Sequence, residues 1–355
     1  MFEVTEASSA VKEVFSKLQD DISKKIFLNR LLYCLDGNKT HLFNMLLELG
    51  LLRPNLAGQA YATIGDIYPV KLEKELILYG CGGIAPDIYH LMSKMGHTVS
   101  CFCDDNVIKQ KTTFCDLPVI SPQALLSEFR ESWVVISTIA YQEKVYDFLT
   151  RHNYPKSNIL KSHTMVKQYF GLNFLKPLPN EVYIDVGCMD GETLVQFKEW
   201  CAGKYKKLYA LEPDATNCND AKNTILKKSI QRVILINKGA WKCNDILSFS
   251  ATANGSSNLN ESGLIKVDVV ALDDIVGEEM VTYIKMDIEG AELNALMGAQ
   301  HVISKNKPRL AICIYHKPED ILEIPLYLLQ IVPSYKFYLR HHSQFYTETV
   351  LYAVP

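Results

Sequence analysis

The stretch Tyr183-Ile184-Asp185-Val186-Gly187-Cys188-Met189-Asp190-Gly191-Glu192-Thr193 decides the fold, because it runs an apolar strand into a helix through a glycine-bearing loop that opens with a carboxylate. Strand, tight loop and helix in that order begin an open α/β sheet, whose ligands bind outside the carboxyl ends of the strands. The carboxylate indicates which ligand. A dinucleotide would lay its pyrophosphate on the helix N-terminus, and Asp185 would repel it. A cationic nucleotide fits better, and S-adenosylmethionine carries a sulfonium and an ammonium. Asp185 is expected to pair with that ammonium, while Gly187 and Gly191 let the backbone approach the methionine and ribose.

Toward the C-terminus the alternation of strand and helix is regular. Strands are expected near 182–187, 207–212, 233–238, 281–287 and 309–315, with a closing pair near 335–341 and 348–354, which gives a mostly parallel sheet with one antiparallel strand at its edge. Glu212 ends the second strand, where an acid can accept both ribose hydroxyls. Trp241, in Asn237-Lys238-Gly239-Ala240-Trp241, either flanks the adenine or fills the core. The small polar segment Ala253–Asn258 reads as a loop over the site or a plain turn. In Tyr283-Ile284-Lys285-Met286-Asp287-Ile288-Glu289-Gly290-Ala291-Glu292 a strand with one lysine runs into three carboxylates. Asp287 and Glu289 are candidate catalytic groups facing the transferable methyl, and Glu292 reads as a helix N-terminal charge. Lys285 could serve these acids as a structural partner. His316 follows the fifth strand and reaches the same rim. Either it or Asp287 is a candidate base for a hydroxyl acceptor. Asp287, Glu289 and His316 could instead hold a divalent metal, but no compact ligand spacing asks for one, and none is expected. His341 and His342 read as solvated or facing the acceptor.

Toward the N-terminus, Lys176-Pro177-Leu178-Pro179-Asn180 reads as a linker. Before it lies a smaller strand, glycine-loop, helix, strand pattern: Leu76–Tyr79, then Gly80-Cys81-Gly82-Gly83-Ile84-Ala85, then Val99–Cys103. Gly80, Gly82 and Ala85 fit a G-x-G-x-x-A spacing, and Asp104 and Asp105 stand where a ribose-binding acid would, so Gly80, Gly82 and Asp104 mark a second candidate nucleotide site. Residues 1–66 read as helical from the spacing of Val11, Val14, Phe15, Leu18 and Ile22, then Leu42, Met45, Leu46 and Leu49. They are expected to cap the neighbouring sheet, or else to form a dimerisation surface or acceptor lid. Three segments result: 1–66 helical, 67–165 a small Rossmann-like domain, and 166–355 the larger sheet.

Composition sets the outer limits. A chain of 355 residues, 48% hydrophobic, can bury two sizeable cores. A net charge of −3 and the lack of any Lys/Arg run of patch size argue against a nucleic-acid partner. Ten scattered cysteines without a Cys-x-x-Cys fit a reducing compartment. An acidic start, Met1-Phe2-Glu3-Val4-Thr5-Glu6, and no apolar run of bilayer length point to a cytoplasmic protein without a membrane span. A homo-oligomer is compatible with all of this.

Over about 175–355 the chain resembles the FkbM family of S-adenosylmethionine-dependent methyltransferases. The likeness rests on DVGCMDG at 185–191, LEP at 211–213, IKMDIEGAE at 284–292 and PRLAICIYH at 308–316, the acidic run being the specific part. It implies a class I methyltransferase sheet and O-methylation of a hydroxyl, often on a sugar or polyketide-type metabolite. One departure stands out: many members carry Ala-Asn where this chain has Cys188-Met189. The middle region is similar to the small nucleotide-binding domains that precede sugar-modifying transferases, through YGCGG at 79–83, FCDDN at 102–106 and LPVISPQALL at 117–126. That likeness implies a domain that grips a nucleotide-linked sugar or one that is only a scaffold.

The expected fold class is therefore α/β, two Rossmann-like domains behind a helical segment. The expected activity is methyl transfer from S-adenosylmethionine to a hydroxyl of a small-molecule or glycan acceptor, nucleotide-linked or not. Two rivals are a nucleotide-sugar oxidoreductase or epimerase using the Gly80 loop, and a binding protein without turnover. The first asks for a Tyr-x-x-x-Lys pair, and Tyr141-Gln142-Glu143-Lys144 has the wrong spacing.

Overall fold

The computed structural model describes residues 2–52, 62–68, 72, 74–138, 141–161, 168–250, 258–259 and 265–355. Residues 253–257 of the expected site loop, and the boundary at 165/166, lie outside the described residues. The chain forms two compact units, one of residues 1–35, 166–341 and 348–355, the other of 36–165 and 342–347. The division cuts through the expected helical segment. Helix Phe2–Lys17 and nearly all of helix Asp21–Asp36 go with the C-terminal half, and helix Thr40–Glu48 goes with the middle region. Periodicity reveals that a helix has an apolar face but not which partner covers it.

The larger unit is built on seven strands, β1 (Glu181–Val186), β2 (Tyr205–Leu211), β3 (Val233–Ile236), β4 (Tyr283–Met286), β5 (Arg309–Cys313), β6 (Lys336–His341) and β7 (Thr349–Val354), in the order β3-β2-β1-β4-β5-β7-β6. Every residue of β1, β4 and β5 is buried, as strands covered by helices on both faces must be. β7 alone runs against the direction of the other six strands. It is not the edge strand that the sequence suggested: it slots between β5 and β6, and β6 forms the edge. The closing pair of apolar runs is visible in the sequence, but nothing local says that the second inserts inside the first.

An aromatic layer fills one side of this sheet. Tyr183 stacks on Phe197 with centroids 4.3 Å apart, and Phe170 meets Tyr283 edge-on at 5.9 Å. At the N-terminal ends of the strands, fully buried Glu181 takes a two-pronged contact from Arg309 at 2.5 and 2.6 Å. At the edge, Gln19 donates its N–H to the Phe337 carbonyl at 3.0 Å and the Ser23 hydroxyl accepts the Leu339 N–H at 2.9 Å. Arg340 pairs with Asp20 at 2.6 Å. The N-terminal segment thus closes the exposed side of β6.

A four-stranded sheet, Gly239–Ala240, Ile265–Val270, Asp245–Ser250 and Asn258–Leu259, follows β3. The sequence did not announce it. Its two outer strands are two residues long and its inner ones carry charges, so neither length nor alternation sets them apart from loop.

In the smaller unit, five parallel strands, Ala62–Thr63, Ile159–Lys161, Trp133–Ile136, Leu76–Tyr79 and Val99–Cys103, are followed by Leu117–Ile120, also parallel, and by antiparallel Thr113–Phe114. Its core gathers Ile77, Tyr79, Val134, Ile136, Leu149 and Ile159.

Candidate active site

The carboxyl ends of β3, β2, β1 and β4 surround an open cavity. Lys238, Gly239 and Ala240 line it after β3, Glu212 and Pro213 after β2, Gly187 and Met189 after β1, and Asp287, Ile288 and Glu289 after β4. This is where ligands of open α/β sheets bind.

Asp185 does not face this space. It is fully buried, and in the register of the sheet it lies directly opposite Lys285 on β4. The Lys285 ammonium stands 3.1 Å from its carboxylate, and the Thr193 hydroxyl also donates to it. The expected partnership with a ligand ammonium is therefore corrected: Lys285 already fills that place. Burial works against charge on Lys285, but Asp185 and Asp287 outweigh it and hold the lysine protonated. Lys285 also donates to the Gly187 carbonyl at 2.6 Å, so the pair fixes the turn of the glycine loop.

Gly187 lines the cavity, but packing is what requires glycine there. At φ +77° a Cβ would stand 2.0 Å from the Asp287 carbonyl oxygen. Gly191 lies against Ala221 of helix Ala215–Lys227. Met189 also adopts a positive φ, +47°, and donates its N–H to Glu212 at 3.0 Å. The backbone at this position engages the carboxylate whatever the side chain, so the missing asparagine leaves that link intact.

Glu212 is 6% exposed, and the N–H of Asp214 takes its second oxygen at 3.0 Å. Burial raises its pKa above the usual range against the pull of these two N–H groups. The lining continues through Ala240 and does not include Trp241, which is half-buried and donates its N–H to the Val270 carbonyl at 3.0 Å.

Beyond β4 the acidic run gathers around His316. Its Nδ1 is 2.9 Å from Glu292, and its Nε2 is 3.5 Å from Asp287 and 3.6 Å from Glu289. Burial opposes a charge on the ring, but Glu292, Asp287 and Glu289 outweigh it and raise the pKa to about 9. Glu292 is fully buried and accepts the Ile288 N–H at 2.9 Å, closing the turn that starts its helix. Asp287 accepts the Tyr169 hydroxyl at 2.9 Å and lies 3.4 Å from the Tyr315 hydroxyl. Burial favours its protonated form, yet Lys285, His316 and Tyr169 overcome that and hold it below the ordinary carboxylate range. Burial, with Asp287 close by, pushes both Glu289 and Glu348 up to about 7. One ligand atom each from Asp287, Glu292 and His316 fall within 4.8 Å of one another, close enough to hold a divalent ion. In the arrangement described, the imidazolium supplies the positive charge at their centre.

Tyr169, Tyr315 and Glu348 were not singled out in the sequence. Tyr169 lies before the linker and Glu348 next to the last strand, far along the chain from Asp287, and no spacing rule connects them. His341 and His342 are 5% and 3% exposed and so are not solvated; His341 meets the Thr349 hydroxyl at 2.6 Å.

In the smaller unit Gly80 has φ +120°, with Ser137 close behind it. Asp104 accepts the N–H groups of Cys81 and Asn106, each at 2.8 Å, and Lys109 approaches it at 3.4 Å. Gly82 accepts the Ala85 N–H that starts the following helix. The acid offered for a second nucleotide is thus committed to its own loop.

A family model described as the methyltransferase FkbM domain matches residues 185–338. No curated protein matches the sequence. Among solved structures, the chain is similar to a methyltransferase FkbM from Methylobacillus flagellatus KT, with 19% identity, 91% of this chain and 100% of that one covered, and a TM-score of 0.51. It is also similar to an rRNA methylase from Streptococcus thermophilus, with 16% identity over 51% of this chain and 89% of that one, and a TM-score of 0.32. Among the described residues no helix is long and apolar enough to cross a membrane. With the family match falling on the strands and loops that build the cavity, the chain carries a methyltransferase FkbM domain at 185–338 and is an S-adenosylmethionine-dependent methyltransferase.

Proposed function

We propose that the enzyme transfers the methyl group to a hydroxyl oxygen of a sugar or related polyhydroxylated metabolite, with Asp287 accepting the hydroxyl proton. The observation that carries this reading is the state of Asp287: it borders the cavity, and Lys285, His316 and Tyr169 keep it ionised. A hydroxyl is a poor nucleophile until its proton has somewhere to go, and a positioned carboxylate provides that. His316, protonated among three carboxylates, is not the base of the resting enzyme. Its part is to neutralise and orient Asp287. Most of the acceleration comes from alignment of sulfur, methyl and oxygen, for which a rigid sheet rim is suited. The carboxylates of Glu212, Asp287 and Glu289 on one cavity wall favour a ligand rich in hydroxyl donors, which is the support for a sugar-like acceptor. All ten cysteines are free, which supports a reducing, cytoplasmic setting.

Asp287→Asn is expected to lower kcat by about 10²–10⁴, with affinity for S-adenosylhomocysteine within about twofold of wild type. Methyl-ether formation across a panel of glycosides and polyols, read by mass spectrometry, tests both parts. Wild-type turnover in the variant would remove Asp287, and methylation only of non-hydroxyl acceptors would remove the substrate class.

A further inference from the structure

We propose that Glu289 receives the α-ammonium of S-adenosylmethionine, the role that Asp185 cannot take. Reading across the carboxyl ends, the cavity wall passes from the loop after β3, through Glu212 after β2 and the glycine loop after β1, to Asp287 and Glu289 after β4. An acid placed to accept ribose hydroxyls at β2 fixes the middle of the cofactor. With adenine toward β3, the methionine end extends toward β4.

Three carboxylates line that path, and they are not equivalent. Glu212 already receives two backbone N–H groups, from Met189 and Asp214. Asp287 receives Tyr169 and lies beside Tyr315 and His316. Glu289 has His316 at 3.6 Å, keeps a third of its side chain open, and faces Asp287, Glu292 and Glu348 as like charges. It is the under-compensated acid on the wall, and a cation beside it relieves repulsion as well as forming a pair. Its backbone supports the placement. Glu289 adopts φ +57°, a conformation costly for a non-glycine residue, and it is followed by Gly290 at φ +91° packed against Lys317 and His316. The strain positions this carboxylate on the cavity wall.

The inference rests on the cavity being the cofactor site, and is independent of the acceptor. Calorimetry with two ligands separates these layers. S-adenosylhomocysteine carries the ammonium, whereas 5′-methylthioadenosine keeps the adenosine thioether and lacks the amino-acid part. Glu289→Gln is expected to weaken S-adenosylhomocysteine about tenfold or more, the loss of one charge-assisted contact, and to leave 5′-methylthioadenosine within about twofold. Equal weakening of both ligands, or of neither, overturns the proposal. So does an S-adenosylhomocysteine-specific loss in Asp287→Asn without one in Glu289→Gln. Should neither ligand bind the wild-type protein, the cavity itself is wrongly assigned and the proposal falls with it.

Discussion

His316 sits in a hole made of negative charge, and its protonation is tied to the fold. A free imidazole titrates near 6.5, and in the folded protein the ring holds its proton up to about 9. A raised folded value means that the stability this group lends is complete below about pH 6.5 and is lost as the pH rises through about 9. Unfolding free energy is therefore expected to fall across that window, and His316→Gln to flatten the slope there, measured by chemical denaturation at a series of pH values. An unchanged slope would contradict the charge state assigned to the ring. The sequence made part of this cluster legible, because Asp287, Glu289, Glu292 and His316 all follow strand ends. It left Asp185 misread, since the opposing lysine lies 100 residues away and only the register of β1 on β4 brings the two together.

At the level of the elements, the strands of the larger sheet were readable because the covered ones, β1, β4 and β5 above all, are largely apolar runs, and glycine loops and prolines punctuate them. Position within the sheet was not, as β7 illustrates. The same sheet has a fastening at the end remote from the cavity, where Arg309 on β5 reaches across to Glu181 on β1 and stacks near Trp200 and Tyr283. Arg309→Met would strand a fully buried carboxylate and is expected to cost about 3–5 kcal/mol. Adding Glu181→Gln should recover much of that loss in urea denaturation. A double variant as unstable as the single one would mean that Arg309 acts through packing alone.

For the molecule as a whole, the chain divides into two compact units, and the first helices belong elsewhere than their neighbours in sequence. Gln19, Ser23 and Asp20 serve β6, which otherwise offers an open sheet edge. Removing residues 1–19 is expected to speed hydrogen exchange in Lys336–His341 and promote self-association, with exchange in Leu76–Tyr79 unchanged. Equal acceleration in both regions would place the helices' role elsewhere. The interior position of β7 bears on how this protein is made. Of the seven strands, the one at 349–354 leaves the ribosome last, yet β5 and β6 have no hydrogen bonds to each other and meet only through it. Until that segment emerges, the nascent sheet has a gap flanked by two unsatisfied ladders. A stop codon just ahead of it would release a chain with a wound in its middle rather than a frayed end.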